Sequence, residues 1–382
     1  MRDRVHSLIS PERLRELMYD AVCEYSPTYA EQPAVSVFER AIMAGDLRLE
    51  SQVVPTPGSD PDEPRRNLII HLGPQPSAML WIGHTDTVVL PDDEVHEPRF
   101  EGDILHGLGA VDMKSACAAA VEAALAIKES GVKLERGITI GLVVGEEEYG
   151  DGIERLYELV QAPLAIVGEP SALVPCFQHY GYMETELTTR GKRAHAAVPE
   201  HGANAIHAML AWLTAVLEVQ GEHEADLVLN PRGIRGSSPL FAVPESCQAL
   251  LDAHLRAGSS PADVREILEH AQALAASKHP DVEFAWEELF YAPGYRQETT
   301  DEHLRFIWDA YDALGLGPEV ASFRSHSDAS FMHTQGTKTI VIGPGDLRVA
   351  HTPHEHIRFS ECVQAAHLYA ELFLRVGLGE TR

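Results

Sequence analysis

Short apolar runs alternate with amphipathic stretches along most of the chain, and this pattern predicts its secondary structure. Five runs have the length of buried β-strands, and they cover residues 67–72, 78–83, 138–145, 164–168 and 339–343. Helical patterns lie between or beside these runs, at 10–22, 115–129, 152–160, 301–314 and 360–376. Strands that alternate with helices favour an α/β fold, in which helices cover a mixed sheet on both faces.

The middle of the chain follows a different pattern. Strand-like segments lie at 182–189, 226–234, 247–255 and 282–289, with helices predicted at 204–219 and 261–276. The resulting order β-α-β-β-α-β is typical of a small two-layer α+β domain of the ferredoxin-like kind. We therefore predict a discontinuous larger domain, residues 1–178 and 291–382, interrupted by an inserted domain at 179–290. A Pro-, Asp- and Gly-rich loop is predicted at 55–66.

Composition narrows the range of functions. The chain has 58 acidic residues against 30 Lys and Arg, a formal net charge of −28, and its 45% hydrophobic content is enough to build cores. So negative a protein repels phosphate backbones and anionic lipids, which argues against nucleic acid and membrane as partners. No apolar run approaches the ~18 residues of a membrane span, and no signal peptide is evident. Five scattered cysteines fit reduced thiols, so we expect a cytoplasmic protein.

Acidic residues and histidines follow the predicted strands at the points where these end. The side chains concerned are His84 and Asp86 after 78–83, Glu146, Glu147 and Glu148 after 138–145, Glu169 after 164–168, and His351 in the loop beyond 339–343. Asp112 comes just before the Ala-rich helix. Ligand sites of open α/β sheets lie beyond the carboxyl ends of the strands, so we expect these side chains to converge on one crevice.

Several carboxylates in one crevice repel one another unless a cation is present. Two imidazoles and three carboxylates suit borderline divalent ions such as zinc, cobalt or manganese, whereas calcium and magnesium prefer oxygen ligands alone. Two ions that share a bridging carboxylate activate water and polarise a carbonyl together. The sequence therefore predicts a site for multivalent metal ions in this crevice.

The order of these motifs resembles that of the M20 metallopeptidase family, which includes acetylornithine deacetylase, succinyl-diaminopimelate desuccinylase and carboxypeptidase G. The resemblance spans about residues 80–356. Its motifs are His84-Thr-Asp86, Gly109-Ala-Val-Asp112-Met-Lys, Glu147-Glu148-Tyr-Gly150, Gly168-Glu169-Pro-Ser171, Gly191-Lys-Arg-Ala-His195 and Ala350-His351-Thr-Pro-His-Glu355. The similarity implies a catalytic domain with two zinc ions and an inserted lid domain through which two copies of the chain form a homodimer.

The resemblance also implies roles for individual residues. One ion would be held by His84 and Glu169, the other by Glu148 and His351, and Asp112 would bridge them. These ligands are the metal residues that we expect.

Asp86 would orient a ligand imidazole through its second ring nitrogen, and Glu147 would act as general base, moving a proton from the attacking water to the leaving amine. His195 of the lid would reach across the dimer and stabilise the oxyanion. The position of Gly150 sets the register of the three glutamates. A shift by one residue would instead make Glu146 the base and Glu147 the ligand.

The substrate contacts of the family are less well matched. Relatives commonly carry an Asn three residues before a Val-Pro-like element and an Arg ten residues after its Pro; counted from Pro244, these places hold Phe241 and His254. Arg256 lies on the same strand face as His254 and is an alternative carboxylate anchor. The family also places substrate contacts in the loop that contains His326 and Ser327.

The favoured hypothesis is a deacylase that releases an acyl group from an N-acyl amino acid. A metallo-dipeptidase or carboxypeptidase would use the same metal site on a dipeptide or peptide. A catalytically silent dimeric binding protein is the alternative of another class, and it predicts that some ligand or base positions are broken. In this sequence every expected metal-ligand position and the base position hold a suitable residue.

Overall fold

The computed structural model of the protein describes residues 1–55, 64–91, 95–222, 227–238, 240–317 and 319–380. Contacts divide the chain into two compact units. The first unit comprises Met1–Phe177, Gln297–Phe323 and Ser327–Arg382, and the second comprises Gln178–Arg296 and Arg324–His326.

The secondary-structure elements are numbered in chain order. The helices are α1 (Arg2–Leu8), α2 (Pro11–Cys23), α3 (Gln32–Ala44), α4 (Ser115–Ser130), α5 (Asp151–Leu159), α6 (Ala205–Glu222), α7 (Pro261–Lys278), α8 (Arg305–Leu314), α9 (Asp328–Thr334) and α10 (Phe359–Gly377). The strands are β1 (Arg48–Val53), β2 (Arg66–Leu72), β3 (Ser77–His84), β4 (Arg99–Glu101), β5 (Ile104–His106), β6 (Gly137–Val143), β7 (Leu164–Val167), β8 (Cys176–His179), β9 (Gly181–Arg190), β10 (Leu227–Gly236), β11 (Ser246–Leu255), β12 (Glu283–Ala292), β13 (Tyr295–Arg296), β14 (Ala321–Phe323), β15 (Lys338–Val341) and β16 (His356–Arg358).

The sheet of the first unit has the strand order β1-β2-β6-β3-β7-β15-β8. Strand β3 pairs in parallel with β6 and β7, and β7 pairs in parallel with β15. The pairs β1–β2, β2–β6 and β15–β8 are antiparallel, so the sheet is mixed. Its four parallel strands present their carboxyl ends at one edge. A smaller antiparallel sheet, β16-β5-β4, belongs to the same unit.

Helix α4 lies at the centre of the hydrophobic core of the first unit. Alanines make up much of its length and are completely buried, since their small side chains let neighbouring elements approach closely. Helix α10 packs against it, as do α1 and α2. Gly131 ends α4 in the left-handed conformation (φ 73°), which favours glycine. The predicted mixed α/β sheet with flanking helices is confirmed.

The second unit contains an antiparallel sheet with the strand order β10-β11-β9-β12. The helices α6 and α7 pack on one another and share a core with the sheet, in which Trp212, Met183 and Leu251 are completely buried. Along β9 buried and partly buried residues alternate, as expected for a sheet with one covered face. The elements follow in the order β-α-β-β-α-β.

Some boundaries differ from the sequence prediction. The second unit extends beyond residue 290 because β12 continues to Ala292 and β13 follows it. The helix predicted from residue 301 begins at Arg305, after a 3₁₀ turn at Glu302–Leu304. Most of the predicted 55–66 loop lies outside the described residues. Within the described part of the chain, every helix is too short or too polar to span a bilayer.

Candidate metal centre

The candidate site forms where the parallel strands of the first unit end. His84 is the last residue of β3, Glu146 and Glu147 follow β6, and Glu169 follows β7. These strands are parallel neighbours, so their carboxyl ends lie side by side. Asp112 comes from the irregular turn just before α4.

His84, Asp112 and Glu169 form the first of two groups. The Nε2 atom of His84 lies 3.1 Å from Oδ1 of Asp112 and 3.7 Å from Oε1 of Glu169. All three residues are buried. Their donor atoms lie within 4.8 Å of one another, close enough to share one ion.

Asp112, Glu147 and His351 form the second group. The Nε2 atom of His351 lies 3.3 Å from Oδ2 of Asp112 and 3.2 Å from Oε2 of Glu147. Asp112 therefore faces one histidine with each of its carboxylate oxygens. His351 has the left-handed backbone conformation (φ 56°), which is uncommon for a residue with a side chain and is characteristic of functional loops.

The structure places the three glutamates one residue out of the expected register. Glu147, not Glu148, contacts His351, and the Glu148 side chain is exposed. Asp86 explains this placement, because its carboxylate accepts the backbone N–H groups of Glu146 (3.3 Å) and Glu147 (3.1 Å). The turn is therefore held with these two residues against the site and Glu148 facing solvent. The expected assignment of Glu148 as ligand and Glu147 as base disagrees with this geometry.

Glu146 takes the place beside the first group. Its Oε2 atom lies 3.9 Å from Nε2 of His84, and its side chain is only 9% exposed. Burial raises the pKa of this carboxyl well above its usual value, and Asp328 and Glu147 add to the effect while His84 opposes it. A carboxyl with a raised pKa exchanges protons more readily near neutral pH.

Asp86 lies beside the second ring nitrogen of His84. The Nδ1 atom of His84 lies 3.0 Å from the backbone oxygen of Asp86 and 3.5 Å from its carboxylate. Thr28 donates its hydroxyl hydrogen to the same carboxylate at 2.8 Å. Burial opposes ionisation, but these hydrogen bonds outweigh it and lower the pKa of Asp86. Asp86 thus fixes both the imidazole of His84 and the glutamate turn.

The electrostatics of the two groups favour a cation. Burial and the nearby Asp112 raise the pKa of Glu169 well above its usual value. Burial lowers the pKa of His351, but hydrogen bonds to Asp112 and Glu147 outweigh it and raise that pKa to about 11. The acids therefore draw positive charge onto the imidazoles. Divalent ions would replace those protons, and mixed nitrogen and oxygen donors suit zinc, cobalt or manganese.

Sequence reasoning did not find every residue that supports this site. Glu355 is buried, and its Oε1 atom accepts the N–H groups of Val111 (2.9 Å) and Asp112 (3.2 Å), which fixes the irregular turn. Glu355 was included in the sequence analysis as the last residue of the Ala350–Glu355 motif, but no role was assigned to it. Thr28 lies in an N-terminal loop that shows no motif, and only the fold brings it to Asp86.

His195 lies in the second unit and is exposed. Its Nδ1 atom accepts a hydrogen bond from the backbone N–H of Ala197 at 3.1 Å. The surrounding segment pairs with residues 241–243, since Ala196 donates its N–H to Phe241 and Val243 donates its own to Ala194. A neutral ring whose Nδ1 accepts carries its hydrogen on Nε2.

The expected substrate residues have different surroundings. Arg256 is exposed, whereas Ser327 is buried and caps α9 by accepting the N–H of Ala329. His254 and His326 both lie near the Tyr182 ring, at centroid distances of 5.3 and 5.9 Å. Burial lowers the pKa of His254, and it lowers that of His326 to about 4. Neutral imidazoles lack the charge that anchors a carboxylate.

Comparisons with known proteins agree with the geometry. A model of the peptidase family M20/M25/M40 matches residues 80–375. An acetylornithine deacetylase of Myxococcus xanthus is 29% identical over 304 residues, which cover 75% of this chain and 77% of that protein. A probable carboxypeptidase of Aspergillus flavus is 29% identical over 356 residues, covering 86% and 81% of the two chains.

Solved structures share the fold at low sequence identity. Human carnosine dipeptidase 1 superposes with a TM-score of 0.80 at 14% identity, and the match covers 98% of both chains. A tripeptidase of Staphylococcus aureus gives a TM-score of 0.77 at 20% identity, over 97% of this chain and 99% of the other. At such identities the likeness establishes the architecture alone.

Proposed function

Because the chain belongs to the peptidase family M20/M25/M40 and is a metal-dependent hydrolase of amide bonds, we propose that it cleaves the amide bond of an N-acyl amino acid. The products are a free carboxylate and an amine. The observation that carries this proposal is the pair of donor groups that share Asp112, with Glu146 beside them.

In this proposal two divalent ions occupy the centre, and zinc is the first choice. His84 and Glu169 hold one ion and Glu147 and His351 hold the other, while Asp112 lies between them. The two histidine contacts of Asp112 support this arrangement, because each involves a different carboxylate oxygen. When bound, two such ions lower the pKa of water and polarise the substrate carbonyl.

Glu146 is the general base in this proposal. Its buried carboxylate takes a proton from the attacking water and returns it to the nitrogen of the leaving amine. The position of Glu146 supports the role, since its carboxylate lies 3.9 Å from Nε2 of His84 and is only 9% exposed. Asp86 keeps the base in place by holding its backbone N–H.

We assign the oxyanion contact to His195 in a homodimer formed through the second unit. Its accepting Nδ1 leaves Nε2–H as a donor, as oxyanion stabilisation requires. The second unit also has the surface for dimerisation, because β10 is an edge strand and Ile234 on it is 52% exposed, as is Leu210 of α6. Sedimentation of the metal-loaded protein should give the mass of two chains, and a monomer at micromolar concentration would contradict this assignment.

An N-acyl amino acid is favoured over a dipeptide because relatives named acetylornithine deacetylase match most of the chain. Dipeptides are the comparison substrates, since the match to the probable carboxypeptidase covers 86% of the chain, against 75% and 82% for these two deacetylases. Turnover of the metal-loaded protein on N-acetyl, N-succinyl and dipeptide substrates tests the choice. Faster cleavage of dipeptides than of every N-acyl amino acid would overturn it.

The roles of the glutamates can be separated by three conservative variants. Glu146→Gln should retain both ions and lose about 10²- to 10⁴-fold in kcat, the usual contribution of a general base. Glu147→Gln should lose one ion. Glu148→Gln should retain both ions, since its side chain is exposed. Metal content by mass spectrometry and kcat on one substrate are the two measurements.

The matched control is Glu158→Gln on α5, which removes one exposed carboxylate away from the donor groups. It should match the unmodified protein in metal content and kcat. Loss of an ion from Glu148→Gln but not from Glu147→Gln would restore the register expected from Gly150. Intact turnover in Glu146→Gln would remove this residue from the mechanism.

A further inference from the structure

The carboxylate of Glu146 is placed by the backbone that carries it. Its oxygens accept no hydrogen bond from any residue that the structure describes, and the carboxylate lies 3.9 Å from Nε2 of His84. Glu147, by contrast, is fixed through its own side chain, which contacts His351 at 3.2 Å. The position of Glu146 therefore depends on how firmly its turn is held.

The turn at 145–150 is closed by hydrogen bonds within itself. The backbone N–H groups of Tyr149 and Gly150 both donate to the carbonyl oxygen of Gly145, at 3.2 and 2.8 Å. Asp86 accepts the N–H of Glu146 at 3.3 Å. These bonds fix the shape of the turn and attach it to Asp86.

A further contact is made at Gly145, the residue directly before Glu146. Its φ of 79° lies in the left-handed region that favours glycine, and a Cβ atom here would clash with Oδ1 of Asp151 and Nη2 of Arg65. Nη1 and Nη2 of Arg65 donate to the two carboxylate oxygens of Asp151 at 2.5 and 3.2 Å. This ion pair thus packs against the backbone one residue before the proposed base.

Arg65 also binds a second, fully buried acid. Its Nε and Nη2 atoms donate to the carboxylate of Glu31 at 3.0 and 2.7 Å, and the two side chains are 3% and 0% exposed. A planar guanidinium can bind two carboxylates at once, which an ammonium group does less well. Buried ion pairs add little net stability because desolvation offsets their attraction, and fixing one arrangement is their better-attested role.

We propose that Arg65 is a positioning residue for the general base, an assignment that rests on the proposed role of Glu146 in the deacylase. By binding Glu31 and Asp151 together, Arg65 fixes the backbone at Gly145. The Glu146 carboxylate is thereby kept beside the metal donors. Arg65 acts through the turn and takes no part in the reaction itself.

Two variants weaken the ion pair from its two ends. Asp151→Ala leaves Arg65 paired with Glu31, so no buried charge loses its only partner, and Arg65→Lys keeps the positive charge without the planar fork. Each should lower kcat about 10- to 100-fold, because misplacing a reacting group by about 1 Å costs on that order. Each should retain both ions, since Glu147 also contacts His351. Loss of an ion would mean that the pair holds a metal ligand rather than the base.

The matched control is Glu39→Ala. Glu39 pairs with the neighbouring Arg66 at 3.1 Å and is 25% exposed, against 29% for Asp151. The control therefore removes a carboxylate from an ion pair of similar exposure, and it should leave kcat unchanged. An equal loss of kcat in Glu39→Ala and Asp151→Ala, or full activity in Arg65→Lys, overturns the proposal.

A double-mutant cycle separates positioning of the base from general support of the fold. In Glu146→Gln the side chain no longer takes up a proton, so its misplacement should cost nothing more. Adding Asp151→Ala to this variant should then change kcat by less than about twofold. A second loss as large as that in the unmodified protein would show that the ion pair does not act through Glu146.

Hydrogen exchange distinguishes a failure of this proposal from a failure of the deacylase function. Full turnover in Glu146→Gln would contradict the base assignment alone, and the ion pair would then be tested on the backbone. The N–H groups that Asp86 accepts should exchange faster in Asp151→Ala and Arg65→Lys than in the unmodified metal-loaded protein, measured by mass spectrometry. Glu39→Ala should leave them unchanged. Equal exchange in all four proteins would overturn the positioning role whatever the turnover.

Discussion

His84 and His351 in the first unit lie among acids, whereas His254 and His326 in the second lie among aromatic rings. Asp112 contacts both histidines of the first pair. Hydrogen bonds to Asp112 and Glu147 raise the pKa of His351 to about 11 against the effect of burial. Among the described residues of the second unit no such compensation operates for His326, and burial lowers its pKa to about 4.

The neighbours of His326 explain the contrast. Its ring lies 5.5 Å from that of Phe290 and 5.9 Å from that of Tyr182, measured between centroids. The imidazole of His254 is a further influence and also disfavours a proton on His326. An imidazole among carboxylates gains from a positive charge, while one among rings loses solvation on acquiring it. Only the first environment is prepared for a metal ion.

Of the variants that test this contrast between the histidines, His84→Ala should have the largest effect on metal binding and turnover. It removes the buried nitrogen donor of the first group and leaves Asp112 and Glu169 without it. We expect loss of bound metal and a fall in kcat of about a thousandfold, because metal assistance is worth several kcal/mol. Metal content and kcat measure this, and an active variant that retains two ions would refute the assignment.

His351→Ala is the matched variant in the second group. Its imidazole is 49% exposed, against 1% for His84. We expect it to lose one ion and to retain the other, bound by the more deeply buried group. In the absence of metal, the variant and the unmodified protein should unfold at nearly the same denaturant concentration. The ion pairs that His351 forms with Asp112 and Glu147 are half-exposed on the histidine side, and such pairs stabilise a fold little. Loss of both ions would show that the two groups are not separable.

The sequence predicted the acid-rich region because chemistry and position coincide there. His84, Glu169 and the glutamate turn each follow an apolar run, and the parallel pairing of β3, β6 and β7 brings those ends together. Strand endings can be read from a chain without knowing its fold. Asp112 and His351 do not directly follow a strand, and they were identified from their places before the Ala-rich helix and in the loop beyond 339–343.

The remaining features depend on contacts that local sequence does not encode. The register of the glutamates is set by which backbone N–H groups Asp86 accepts, and three consecutive identical residues give no pattern to decide it. The low pKa of His326 arises from burial among side chains of distant segments, which the local sequence does not show. The substrate-binding role expected for its loop came from the family resemblance. Thr28 likewise reaches Asp86 only through the fold.

The aromatic environment of His326 gives the smaller, pH-dependent prediction. A folded-state pKa near 4, below the ordinary 6.5, means that the unfolded chain binds the proton more readily. The free energy of unfolding therefore includes the full contribution of neutral His326 above pH 6.5. This contribution falls as the pH drops toward 4, by up to about 3 kcal/mol. Unfolding by denaturant in the presence of a chelator should show this loss, and His326→Leu, which cannot titrate, should lose less stability over the same range. If the stability of the two proteins changed with pH in parallel, His326 would take up its proton as easily in the folded chain as in the unfolded one. The contrast between the two histidine pairs would then disappear.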